Sequence, residues 1–134
     1  MVNSIFLIIV IIYDYLLYWI LKLENIGCEC SKDWRRNFIM CWMIIYIFIM
    51  VFDTFIKNKI MKNVLVFLIF LFQIIFIIIV FQYVRKLKNE KCKCADGNER
   101  RVLEIFNYFQ IFITLIALFF LLQVIYYFIK KSKL

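Results

Sequence analysis

Four long apolar runs separated by short charged segments make up almost all of this chain. Val2 to Leu21 is apolar apart from Asn3, Ser4 and Asp14, and Phe38 to Ile56 is interrupted mainly by Asp53 and Thr54. Val64 to Val84 contains Gln73 and Gln82, and Val102 to Ile129 contains Glu104, Asn107, Gln110, Thr114 and Gln123. Each run reaches the roughly 17–25 residues with which an α-helix crosses a bilayer. The runs are continuous, without the apolar/polar alternation of a transmembrane barrel, so the pattern predicts helices. The expected fold is all-α: an integral membrane four-helix bundle. The fourth run is longer than a bilayer requires, so either it tilts or its first turns, through Glu104 and Asn107, stand at headgroup level, and the second is the expectation. Composition agrees, since 66% of residues are apolar and the chain has two glycines and no proline, far from the balance of a soluble domain. Four spans use most of the 134 residues, so one membrane domain covers 1–134.

The segments between the runs repeat. Lys22-Leu23-Glu24-Asn25 leads into Cys28-Glu29-Cys30, and Lys86-Leu87-Lys88-Asn89 leads into Cys92-Lys93-Cys94 at a spacing of 64. A double arginine follows each, Arg35-Arg36 and Arg100-Arg101, at a spacing one residue longer. The chain therefore reads as two helical hairpins, about 2–57 and about 62–130, each with a Cys-x-Cys loop. Because each copy holds two spans, the hairpins are parallel, related by a pseudo-two-fold axis along the membrane normal, with both cysteine loops on one face. Ser31 or Asp33 is the expected cap of the second helix, and Asp96 with Glu99 resembles a capping box before the fourth.

Charge sets the expected orientation. The cysteine-loop face carries Lys22, Lys32, Arg35, Arg36, Arg85, Lys86, Lys88, Lys91, Lys93, Arg100 and Arg101, against Lys57, Lys59, Lys62, Lys130, Lys131 and Lys133 on the other. Eleven against six predicts cytosolic cysteine loops and both termini on the opposite side. The first run lacks a basic start and a small-residue cleavage site, so it reads as a retained span. The net charge of +8 points to the lipid bilayer and its anionic headgroups as partners; no soluble platform for nucleic acid is present. Trp19, Trp34 and Trp42, with Tyr18, Tyr83 and Tyr108, are expected in an interfacial aromatic belt.

Cys28, Cys30, Cys92 and Cys94 are the candidate site. Four thiolates converging from two loops suit a structural zinc ion, although one spacer residue is fewer than the usual two to four. In an oxidising compartment the same residues read as disulfides between the loops, and as a third alternative they remain free thiols. Cys41, inside a span, reads as a small packing residue. Asp14 and Asp53 are the intramembrane ionisable groups: Asp14, about 12 Å below Lys22 at 1.5 Å per residue, is expected to face the bundle, and Asp53 to reach the interface near Lys57. Gln73, Gln110 and Gln123 are candidate interhelical hydrogen-bonding groups. No histidine, phosphate-binding loop or nucleophile–base pair is present, so no catalytic residue is assigned.

The first loop, Cys28-Glu29-Cys30-Ser31-Lys32-Asp33-Trp34-Arg35-Arg36, resembles those of small multi-span membrane proteins of giant DNA viruses; the second copy lacks the tryptophan and has Gly97-Asn98-Glu99. That resemblance implies a viral membrane protein and brings no activity with it. In architecture alone, four helices with a cysteine pair in each of two loops are similar to the bacterial membrane disulfide oxidases, which pass electrons to a quinone. The expected role is structural or in assembly, with room for a membrane-protein partner or a homo-oligomer. A membrane thiol-disulfide oxidoreductase and a small ion channel or viroporin are the alternatives.

Overall fold

The computed structural model describes residues 2–134, with side chains omitted for 2, 3, 5 and 6, so the side chain of Asn3 lies outside the described set. Four helices follow in order, α1 (Val2–Asn25), α2 (Trp34–Asp53), α3 (Lys59–Asn89) and α4 (Asn98–Ser132), and no strand occurs among the described residues. The fold is all-α, as the runs predict. Three of the helices, α2, α3 and α4, are long and apolar enough to cross a membrane. α1 has 24 residues. Asn58 starts α3 by accepting a hydrogen bond from the Ile60 N–H at 3.1 Å, which satisfies one of the unpaired donors at a helix start. Lys86 and Lys88 in its last turn complement the negative end of the helix dipole.

Consecutive helices pack side by side, and α1 returns to touch α4. The inward residues are Tyr13, Leu16, Ile20 and Leu23 on α1 and Arg36, Ile39, Met43 and Tyr46 on α2. Both sets alternate three- and four-residue steps, the spacing of left-handed helix packing. Phe76, Val80, Tyr83 and Leu87 on α3 continue it, with Leu103, Phe106 and Asn107 on α4. Most of these lie in the half of each helix next to the cysteine loops, with Tyr13 and Tyr46 near the helix middles. In the opposite half the helices turn apolar sides outward, as lipid-facing surfaces do. At the bottom of the core Tyr13 meets the other three helices at once, with ring centroids 5.1 Å from Tyr46, 6.1 Å from Phe76 and 5.6 Å from Phe106.

The 64-residue spacing also matches several buried positions beyond the loops. Leu16 and Val80, Trp19 and Tyr83, Ile20 and Val84, Leu23 and Leu87, Ile39 and Leu103, and Trp42 and Phe106 are each buried in both copies. The arginines are matched differently from the expectation. At this spacing Arg36, 5% exposed, corresponds to Arg100, whose side chain is 13% exposed, so the doubled arginines are offset by one and Arg35 corresponds to Glu99. Helix geometry decides this, because one residue of slip turns a side chain by about 100° away from the core.

Several expectations are corrected by helix phase. Asp14 does not face the bundle: it is exposed on the outer side of α1 and has no hydrogen bond among the described residues, while Tyr13 beside it is fully buried. Asp53 is half-buried at the end of α2 and lines a groove with residues of α1 and α3. Trp19, Trp42 and Tyr83 are core residues, leaving Trp34, Tyr18 and Tyr108 exposed. Cys41 is exposed on the outer side of α2. Asn107 is inside the bundle, donating from Nδ2 to the Ile77 carbonyl at 3.3 Å, so only Glu104 fits a headgroup-level role, paired with Lys88 at 2.6 Å. Gln110 donates to the Tyr13 hydroxyl at 2.8 Å and Gln73 accepts from the Trp42 indole at 3.3 Å. Gln123 is exposed.

Candidate cysteine cluster

The end of each odd helix aims its first cysteine inward. In the first copy Gly27 adopts a left-handed conformation (φ 69°), its N–H bonding to Glu24 O at 3.2 Å and the Cys28 N–H to Leu23 O at 3.1 Å. Lys91 repeats this (φ 49°), with Lys91 N to Lys88 O at 3.2 Å and Cys92 N to Leu87 O at 3.2 Å. This is the common glycine-type helix cap, in which the residue after the left-handed one folds back on the last turn. Cys28 and Cys92 are therefore buried above Leu23 and Leu87. A 3-10 turn follows in each loop, Glu29–Ser31 and Lys93–Ala95, closed by Ser31 N to Cys28 O at 3.2 Å and Ala95 N to Cys92 O at 3.3 Å. That turn compensates for the short spacer: the sulfurs within a pair are 3.8 Å apart for Cys28 and Cys30 and 3.7 Å for Cys92 and Cys94.

A lysine in the left-handed region costs about 1–2 kcal/mol relative to glycine, less the greater freedom glycine has when unfolded. Lys91→Gly is accordingly expected to stabilise the protein by about 0.5–1 kcal/mol. Nothing lies within 4 Å of a Cβ added at Gly27, so Gly27→Ala should carry only the backbone penalty, with the opposite sign. Unfolding midpoints in mixed detergent micelles check both, and equal midpoints for Lys91→Gly and the parent would refute the penalty.

The two pairs come together as one cluster. All four sulfurs lie within 4.8 Å of one another. Cys28 with Cys94 and Cys30 with Cys92 are at disulfide-bonding distance, with Cα separations of 6.0 and 5.8 Å. The equivalent residues approach without bonding, Cys28 to Cys92 at 3.7 Å and Cys30 to Cys94 at 3.5 Å. A two-fold exchange of the loops maps one crossed link onto the other, which fits their near-equal Cα separations. Both links join one hairpin to the other.

The cluster's surroundings differ between copies. Ser31 donates to Cys28 O at 2.7 Å and accepts from Arg36 Nη1 at 3.1 Å, while its carbonyl accepts from the Tyr83 hydroxyl at 3.0 Å. Ala95 replaces Ser31 in the second copy, and Arg100 instead pairs with Asp96 at 3.1 Å. Asp33 makes no side-chain cap for α2; it pairs with Arg35 at 2.7 Å and Lys86 at 3.2 Å, bridging α2 to α3. Burial pushes its carboxyl up, but the hydrogen bonds and charges of Arg35 and Lys86 outweigh this and hold it below the usual carboxylate value. Gly97 occupies the cap position of α4, so the Asp96 and Glu99 capping box does not form.

Comparison with known protein families, curated proteins and solved structures finds no match to this chain.

Proposed function

We propose that the chain is a small integral membrane protein with a structural or assembly role, in which the cysteine cluster fastens two helical hairpins. One observation carries the reading: every close pairing at disulfide distance joins the first loop to the second, directly above the shared core. The fastener has two chemically consistent forms. Oxidised, it is the crossed pair of disulfides. Reduced, it is a set of four thiolates for a structural zinc ion, held by Cys28, Cys30, Cys92 and Cys94. The four unbonded sulfur separations of 3.5–3.8 Å suit this, since sulfurs about 2.3 Å from a tetrahedral zinc stand about 3.8 Å apart. The other two edges must lengthen, which requires both links to be reduced. Zinc would supply cross-linking without redox chemistry.

The basic bias of the cysteine face favours the cytosolic side, where the thiol pool keeps both forms accessible by exchanging with the disulfides; the termini are then on the opposite side, and anionic headgroups meet the basic loops. Intact mass of the protein purified under native conditions, with and without chelator, followed by non-reducing peptide mapping, tests the reading. Loop-to-loop disulfides, or one zinc lost to chelator, are expected. Four freely alkylated cysteines without metal would refute the fastener. An oxidoreductase is the second reading, favoured by the exposure of Cys94. Against a quinone partner, the large apolar groove of about 660 Å³ lies at the other end of the bundle, lined by Tyr46, Met50, Asp53 and Leu65. A channel is less supported, because Asp14 faces away from the bundle interior.

A further inference from the structure

We infer that Cys94 is the point at which a small thiol attacks the cluster, making the second loop a thiol–disulfide exchange site; the inference rests on the oxidised form of the fastener. The observation is an asymmetry in how the two loops cover their second cysteines. Cys94 is exposed and borders a crevice of about 180 Å³ that also touches Trp19, Lys22 and Gly97. Subtracting or adding 64 gives the corresponding surroundings of Cys30: Tyr83, Lys86 and Asp33. There the space is spanned by side chains, because Asp33 holds Lys86 at 3.2 Å and Arg35 at 2.7 Å, and Lys86 also reaches Glu90 at 3.9 Å. At position 97 glycine has no side chain to offer Lys22, and the crevice stays open. Cys30 is accordingly half-buried, and Cys28 and Cys92 are buried.

The chemistry balances with a thiol as the only co-reactant. A thiolate attacks Cys94 Sγ, its sulfur bonds to Cys94, and the Cys28–Cys94 bond breaks with Cys28 leaving as a thiolate. A second thiolate then attacks the incoming group's sulfur, releasing an external disulfide and the Cys94 thiolate. Two external thiols are oxidised and one protein disulfide is reduced. The buried Cys28 thiolate released in the first step lies 3.7 Å from Cys92 and 3.8 Å from Cys30, the two sulfurs of the remaining disulfide. Exchange can therefore pass inward to sulfurs that the external thiol does not reach.

The test uses the full chain in nanodiscs, with Cys41 blocked by maleimide and non-reducing mapping performed first. Limiting reduced glutathione is then added, quenched with acid, and the adducts located by mass spectrometry. Glutathione is expected on Cys94 at least about tenfold over Cys30, since access governs which sulfur is attacked, with one newly alkylatable thiol, on Cys28 or, after inward exchange, on Cys30 or Cys92. Gly97→Asp supplies a carboxylate where Asp33 stands in the first copy. The backbone at Gly97 is extended, and an added Cβ meets only the flexible Glu99 carboxylate at 3.0 Å, so Glu99→Gln is carried in both arms, with and without Gly97→Asp, to keep the new carboxylate from facing a second one. This variant should keep the same disulfide map and lose most of the Cys94 adduct. Equal adducts on Cys30 and Cys94, or an unchanged rate in Gly97→Asp, would overturn the inference while leaving the fastener intact. A starting map without the Cys28–Cys94 and Cys30–Cys92 links would overturn the oxidised fastener and the exchange site together.

Discussion

Removing both loop-to-loop links should lower the stability of the bundle by about 2–4 kcal/mol, whereas removing one should cost far less. The links close chain segments of 66 and 62 residues, and a cross-link acts mainly by reducing the freedom of the unfolded chain. Both close nearly the same segment. The first therefore contributes most of the constraint and the second adds little. Cys28→Ser with Cys94→Ser leaves Cys30 bonded to Cys92 and is the mild case; Cys28→Ser with Cys30→Ser leaves no link and is the severe one. Reversible unfolding in mixed detergent micelles, with chelator present so that metal cannot replace the missing links, reads the difference. Equal stability of the two double variants would show that the cysteines do not hold the hairpins together.

Adjacent residues on α1 should behave in opposite ways. Tyr13→Ala is expected to cost about 3–5 kcal/mol, the range for truncating a buried large aromatic, because its ring contacts Tyr46, Phe76 and Phe106 on three other helices. Tyr13→Phe removes only the hydroxyl's bond to Gln110 and should cost about 0.6 kcal/mol, the usual size of such bonds within membranes. Asp14→Leu should be neutral or stabilising in the isolated protein, since a carboxyl on the outer side of a span is costly and has no partner among the described residues to lose. The same unfolding assay ranks the three variants. A loss in Asp14→Leu comparable to that in Tyr13→Ala would mean that α1 is rotated about its axis. Weaker self-association with unchanged folding would instead assign Asp14 to contact with a second copy.

Both predictions depend on which face of a helix a residue occupies, and that divides what could be read early from what could not. The run lengths were enough for the number and type of elements, because a span of apolar residues in lipid must satisfy its own backbone groups and a helix does so within one segment. The matching loops were equally legible: Lys22-Leu23-Glu24-Asn25 and Lys86-Leu87-Lys88-Asn89 recur at one spacing, and their helix caps fold alike. Helix phase was not legible. In a soluble helix polar residues mark the outer face, but in these runs both faces are apolar, so nothing local distinguishes the core side of Tyr13 from the outer side of Asp14. Trp19 and Trp42 illustrate the same difficulty, being interfacial by type and buried by position.

For the candidate site, the four residues were identified by their spacing alone, since paired thiols in two same-side loops are the unusual chemistry of this chain. Their pairing and accessibility were not. That Cys28 joins Cys94 rather than its equivalent Cys92 depends on the relative placement of the two 3-10 turns. That Cys94 is open while Cys30 is covered depends on Asp33 pairing with Lys86, where Gly97 has no side chain to pair with Lys22. By itself the sequence determined the helices and the residues that carry the sulfur chemistry, because length, apolarity and residue type are local properties. Only the tertiary structure decided the inward face of each helix, the crossed pairing and the exposed sulfur, because each depends on distances between segments far apart in the chain.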